Sequence, residues 1–160
     1  LNNKSLGTKP RSPEDEPLRW NVPFAPGVLK AVARNGDKIV ATHLLQTAGA
    51  PARIKLVADC SEVNADGSDV CYVRANVVDQ NGVAVPDDSR EVKFELNGPG
   101  EIAAVDSGNN ASDESFRGNE RRTYDGSCIA IIRGHGTGSI NIRAESLGLS
   151  PGRAQVASGS

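Results

Sequence analysis

Apolar and polar residues alternate along most of the chain, in short runs cut by Gly, Asn, Asp and Pro. This is the pattern of strands with one face buried and the other wet. Leu18–Val22, Val28–Arg34 and Lys38–Gln46 are the first three predicted strands. Asn35-Gly36-Asp37 between the last two predicts a hairpin, because Asn and Gly tolerate the positive φ of tight turns. The run Val28-Leu29-Lys30-Ala31-Val32-Ala33 has helical propensity, but its brevity and the adjacent turn favour strand. Thr47-Ala48-Gly49-Ala50-Pro51 is small, proline-bearing and unpatterned, and reads as a boundary. Beyond it the alternation predicts strands at Arg53–Ala58, Cys71–Val77, Val92–Leu96, Ile102–Val105, Ser127–Arg133, Ile140–Ala144 and Arg153–Ala157. A long polar stretch, Asp106–Arg122, interrupts them. Strands punctuated this often indicate an all-β chain built as β-sandwiches, with less than a tenth of it helical. The expected organisation is a first unit over residues 1–49, a second over 50–157 and a tail at 158–160.

Composition narrows the function. The 160 residues carry 18 basic and 20 acidic side chains, a net charge of -2. That balance argues against nucleic acid, whose binding rests on neutralised phosphates. No apolar run approaches the about 18 residues of a spanning helix, so membrane insertion is not expected. The chain holds no Met and begins at Leu1, so an artificial or proteolytic start is expected, with the first unit truncated.

The chemistry-bearing residues favour structural readings. Asp87 with Asp88, and Asp113 with Glu114, are adjacent loop carboxylates rather than a pair facing each other across a sugar at about 5–9 Å. Asp66-Gly67-Ser68-Asp69 and Asp79-Gln80-Asn81-Gly82 place oxygens near glycines, but the full calcium-loop pattern is absent and Asx turns explain them. His43 shares a strand face with Ile39, Ala41 and Leu45 and is expected to be partly buried; His135 lies exposed between glycines. No catalytic residue, metal ligand set or cofactor is expected. Cys60, Cys71 and Cys128 make an odd count, so three single pairings are open, and a four-ligand zinc site is not indicated. The best surface for a carbohydrate is the polar stretch, through Asn109, Asn110, Phe116, Arg117 and Arg121. The competing reading there is a loop between sheets tied down by its own polar groups.

Several stretches resemble a known family. They are Ala65-Asp66-Gly67-Ser68-Asp69, Val77-Val78-Asp79-Gln80-Asn81-Gly82, Asn97-Gly98-Pro99-Gly100-Glu101-Ile102, Val105-Asp106-Ser107-Gly108-Asn109, Glu114-Ser115-Phe116-Arg117-Gly118-Asn119 and Tyr124-Asp125-Gly126-Ser127-Cys128. Their order and spacing are similar to the C-terminal immunoglobulin-like domain of bacterial glycoside hydrolase family 2 enzymes, mostly β-galactosidases. Leu1-Asn2-Asn3-Lys4-Ser5-Leu6-Gly7 and Trp20-Asn21-Val22-Pro23-Phe24-Ala25-Pro26-Gly27 resemble the domain that precedes it there. The resemblance implies a non-catalytic accessory module whose parent, a retaining glycosidase, carries its two glutamates in a separate barrel. The implied partners are the parent's catalytic and other domains, with a glycan or a second copy, paired through the first unit, as further candidates. A periplasmic or extracellular bacterial location is also implied. A carbohydrate-binding module and an adhesin-like surface domain are the alternatives. In immunoglobulin folds a disulfide bridges two facing strands, and the resemblance makes Cys71 and Cys128 the corresponding inter-sheet pair, sharing one core. Free thiols are the favoured state, and Cys60–Cys71 is the competing bond.

Overall fold

The computed structural model describes residues 1–11, 14 and 16–159. Eleven strands and no helix are found among them. The chain divides into two compact units, Leu1–Thr47 and Ala48–Ser160.

The first unit is built on one hairpin. β1 (Val28–Asn35) and β2 (Lys38–Gln46) pair antiparallel around Gly36, which holds φ 59°, with a bulge between Ala33 and Arg34. Asn2 ties the N-terminal segment to it. The Asn2 amide N–H donates to the Val28 carbonyl at 2.9 Å, its Nδ2 donates to the Pro26 carbonyl at 2.9 Å, and its Oδ1 accepts from the Val28 N–H at 2.8 Å. Leu18–Val22 forms no strand. Its alternation is real, but no neighbouring strand among the described residues supplies ladder bonds, and Leu18 and Trp20 stay exposed, with Lys9 Nζ 5.2 Å from the Trp20 ring centre. His43 is exposed as well, contrary to the partly buried placement expected from its apolar neighbours. Those neighbours, Ile39, Ala41 and Leu45, are themselves exposed, so the shared face marks no core.

The second unit is a two-layer sandwich. One sheet has the order β3 (Arg53–Ala58), β5 (Cys71–Val78), β9 (Ser127–Gly134), β7 (Gly100–Asp106). The other has the order β4 (Glu62–Asn64), β11 (Gly152–Gly159), β10 (Gly138–Glu145), β6 (Glu91–Asn97), β8 (Glu120–Arg122). All pairs are antiparallel except β4 with β11. The first order matches the A-B-E-D sheet of immunoglobulin domains, so the expected all-β, immunoglobulin-like sandwich is what the second unit forms, while the first unit holds a single two-stranded sheet.

Period-two alternation sets what is buried. On β5, Cys71, Val73, Ala75 and Val77 point inward while Tyr72 and Arg74 face solvent. They pack with Val92, Phe94, Val105, Ala130, Ile132, Ile140, Ile142 and Val156 into one core. The Asp125-Gly126 corner is a two-residue turn in which Tyr124 and Ser127 exchange backbone bonds at 2.9 and 3.1 Å. Only glycine serves at its second position: φ is 71°, and an added Cβ would stand 2.1 Å from the Val85 carbonyl oxygen.

Two short strands, β4 and β8, carry too few residues to show a period, and the sequence pattern does not reveal them. β11 runs through Ser158 and Gly159, which the sequence assigned to a tail; Ser158 pairs with Gly138 and Val63 and is buried. The sheet margins are occupied. Ile54 N–H on β3 donates to the Ser150 carbonyl, and Val105 N–H on β7 donates to the Phe116 carbonyl, both at 2.9 Å. The remaining margins, β4 and β8, are three residues each.

Candidate functional site

The polar stretch between β7 and β9 is where the sequence placed its best surface, and one residue organises it. Arg121 stands on β8 opposite Val92 of β6, a core-facing register, and is 1% exposed. A guanidinium cannot shed its charge, so burial obliges it to find acceptors. Its Nε donates to Ser107 Oγ at 3.3 Å, Nη1 to the Glu114 carbonyl at 3.1 Å and Nη2 to Asp106 Oδ1 at 3.4 Å. Glu114 Oε2 lies 3.8 Å from Nε, and the Phe116 ring lies over the guanidinium at 5.2 Å. Arg121 is therefore the pin of the loop and no surface contact, which corrects its placement among the candidate sugar ligands. The arginine sits on an inward register that a three-residue strand conceals in the sequence.

The other four candidates remain outside. Phe116 is 58% exposed, Arg117 and Asn110 are exposed, and Asn109 is half-buried. Asn109 Oδ1 accepts from the Ala111 N–H at 3.0 Å, closing a local turn. Asn119 fastens the far end of the loop to β6, its Nδ2 donating to the Phe94 carbonyl at 2.9 Å.

Most of the carboxylates singled out in the sequence are engaged in structure. Asp88 is gripped by Arg90 through two bonds, Nε to Oδ1 at 2.7 Å and Nη2 to Oδ2 at 2.6 Å. Glu114 Oε1 accepts from the Arg122 N–H at 3.1 Å, and its Oε2 accepts from Ser112 Oγ at 2.9 Å. Asp87 and Asp113 are exposed. Asp66 and Asp69 close their turn by accepting from the Ser68 and Asn64 amides at 2.9 and 2.7 Å. A shallow depression on the outer face of the five-stranded sheet is lined by Glu91, Lys93, Glu120, Arg143 and Glu145, with no aromatic ring.

Asp79 is buried and caps three amides: Gly49 to Oδ2 at 2.8 Å, and Val83 and Asn81 to Oδ1 at 2.9 Å each. The Gly49 amide, then those of Val83 and Asn81, stabilise the anion and hold this carboxyl below the usual carboxylate range. A folded-state pKa below the unfolded one adds stability above the unfolded pKa, and that stability is lost as pH falls through the folded value. The melting temperature is therefore expected to be insensitive to this group above pH ~5 and to fall below pH ~4. Asp79→Asn should flatten that acid limb while lowering stability at neutral pH. Thermal melts of both chains across pH 2–7 (about the span carboxylates titrate over) check this.

Two of the cysteines are not the free thiols favoured from the sequence; the competing bond is the one that forms. Cys60 and Cys71 are bonded, with Cα atoms 5.7 Å apart, and Cys128 is a buried free thiol. Closing this short loop constrains the unfolded chain by about 3 kcal/mol in the chain-entropy account. Topology excludes a bond between Cys71 and Cys128, and the two belong to one sheet and are no inter-sheet pair. Cys128 lies on β9, which pairs with β5 in the same sheet, opposite Ala75 and not Cys71. Four strand positions separate the two, about 13 Å along the sheet, far beyond disulfide reach. Both do face the shared core. Burial pushes the Cys128 thiol up to about 12, so it is no nucleophile at neutral pH. Asp59, Cys60 and Cys71 are grouped closely enough to hold an ion, but bonded sulfurs offer no thiolate.

Residues 54–155 match the family model described as glycoside hydrolase family 2 C-terminal domain 5, and residues 1–41 match a domain of unknown function (DUF4982). A β-galactosidase of Bacteroides ovatus is 39% identical over 150 residues, which are 93% of this chain and 18% of that protein. A glycosyl hydrolase family 2 member from Bacteroides cellulosilyticus, of known crystal structure, is 35% identical with a TM-score of 0.86, over 98% of this chain and 22% of that one. A β-glycosidase from Bacteroides vulgatus superposes with a TM-score of 0.90 at 29% identity, over 98% of this chain and 20% of its own. The chain thus spans less than a quarter of the length of these relatives, in a region matched by a C-terminal accessory domain. With the sandwich topology and the family match over most of its length, the chain belongs to the C-terminal domain 5 family of the family 2 glycoside hydrolases.

Proposed function

We propose that this chain is a non-catalytic structural module of a β-galactosidase-type glycosidase. The observation that carries the reading is the state of its polar groups. Asp79, Glu114 and Arg121 are committed to backbone amides and loop carbonyls, and Asp88 to the Arg90 guanidinium. Glycoside hydrolysis needs two carboxyl groups about 5–9 Å apart across a sugar-sized cleft, and these groups close loops instead. The partners are then the other domains of the parent enzyme. Exposed Val40, Leu44 and Leu45 on the first unit support such contacts. The Cys60–Cys71 bond supports a periplasmic or extracellular setting, because disulfides persist on the oxidising side of a membrane. Purified chain incubated with a chromogenic β-galactoside is expected to release no chromophore. Turnover that survives repurification and scales with the concentration of this chain overturns the reading.

A second reading, carbohydrate binding, is favoured by Phe116, whose ring stands out of the loop beside exposed Arg117. Calorimetric titration with galactosides separates the two: a structural module shows no saturable heat, whereas a binding module shows heat that Phe116→Ala abolishes.

A further inference from the structure

We propose that the Cys60–Cys71 bond is a redox-operated latch. It holds β4 on the margin of the five-stranded sheet, and its reduction frees β4 and leaves β11 with an open edge.

The bond joins the two layers of the sandwich. Cys71 opens β5 in the four-stranded sheet, and Cys60 stands two residues before β4 of the five-stranded one. The other ties of β4 to the five-stranded sheet are few. It pairs with β11 at only three positions, Glu62 with Ala157, Val63 with Ser158 and Asn64 with Gly159. Ala157 N–H donates to the Ser61 carbonyl at 2.9 Å, and Ala65 N–H donates to the Gly159 carbonyl at 2.6 Å. Val63 is the single buried side chain of the strand. So short a parallel pairing belongs to the least stable end of a fold, where local opening precedes global unfolding.

A second observation favours release. Ser158, directly opposite Val63, is buried, and its Oγ has no hydrogen-bond partner among the described residues. A buried hydroxyl without a partner is unfavourable, and lifting β4 lets water reach it. The staple opposes that opening. Gly134 shows how closely β4 is seated: a Cβ there would stand 2.7 Å from the Asn64 carbonyl oxygen and 2.5 Å from Ser158 Oγ.

The reducing step is thiol–disulfide exchange with a dithiol. Cys60 is half-buried and Cys71 fully buried, so the attacking thiolate reaches Cys60 Sγ. The sulfur–sulfur bond breaks, and its electron pair departs on Cys71 Sγ, which takes up a proton. The second thiolate of the reductant then displaces Cys60 from the mixed disulfide, and Cys60 is protonated in turn. The cysteines gain two electrons and two protons, and the dithiol becomes a disulfide.

Amide hydrogen exchange followed by mass spectrometry on the 160-residue chain tests this, in the oxidised state, with excess dithiothreitol, and in Cys60→Ser. The expected result is that Ala65 and Ala157 exchange as fast as unstructured peptide in the reduced chain and in the variant, while β5, β9 and β10 remain protected. Oxidised Cys128→Ser should keep β4 protected. The latch is wrong if Ala65 and Ala157 stay protected after reduction. It is equally wrong if β5, β9 and β10 lose protection along with them, because the bond then supports the whole sandwich and not β4.

Discussion

Arg121→Ala is expected to lower the stability of the second unit by about 3 kcal/mol and to loosen the loop it pins. Deleting one member of a buried, hydrogen-bonded charge cluster typically costs about 3–5 kcal/mol, because its former partners are left unpaired. The lower end applies here. The side chains of Asp106 and Glu114 are 37% and 36% exposed, so water can take up their released oxygens. The Glu114 carbonyl and Ser107 Oγ lose their donor, and the volume under the Phe116 ring is emptied. Urea unfolding gives the stability change. Limited proteolysis should then cut between Ser107 and Asn119 in the variant under conditions that leave the parent chain intact. An unchanged urea midpoint would show that Arg121 is not the pin.

Phe94→Ala should cost somewhat more, roughly 4 kcal/mol, lowering the melting temperature of the second unit by roughly 15 °C. Phe94 is wholly buried on β6, opposite Ala144 of β10. Its neighbours cannot close a hole of that size. The backbone around it is fixed by two bonds to Asn119, through the Phe94 N–H at 2.7 Å and the Phe94 carbonyl at 2.9 Å. Phe94→Leu, which keeps much of the volume, should recover more than half of the loss. Differential scanning calorimetry of both variants measures it. A shift of only a few degrees for alanine would mean that the sandwich relaxes around the cavity.

What was readable in the sequence divides along one physical line. Strands such as β5 and β10 have four and three alternating buried positions, enough for a period of two to declare itself, and their turns carry Asn-Gly or Gly-rich signals. β4 and β8 have one inward residue each. With β8 unseen, Arg121 read as an exposed cation in a polar stretch when its register points it into the core. The cysteine pairing stayed open in the sequence for the same reason at a larger scale. Local pattern shows that Cys71 and Cys128 face inward, but not which sheet each strand joins, and a disulfide depends on that pairing. Leu18–Val22 failed in the opposite direction, since it alternates but has no neighbour among the described residues to complete its ladder. The family stretches, by contrast, are mostly turn residues, whose backbone demands are local and therefore legible.

The margins of the sandwich have a consequence for life inside a larger polypeptide. A module tethered to other β-rich domains meets them at very high effective concentration, and any long bare strand would invite promiscuous exchange with a neighbour. Here β3 is shielded by the Ser150 segment and β7 by the Phe116 segment, and β4 and β8 are too short to template anything. Crowding by its own kin is thus harmless to the sandwich while the Cys60–Cys71 bond is closed, and such sandwiches could stand in series without their strands becoming entangled.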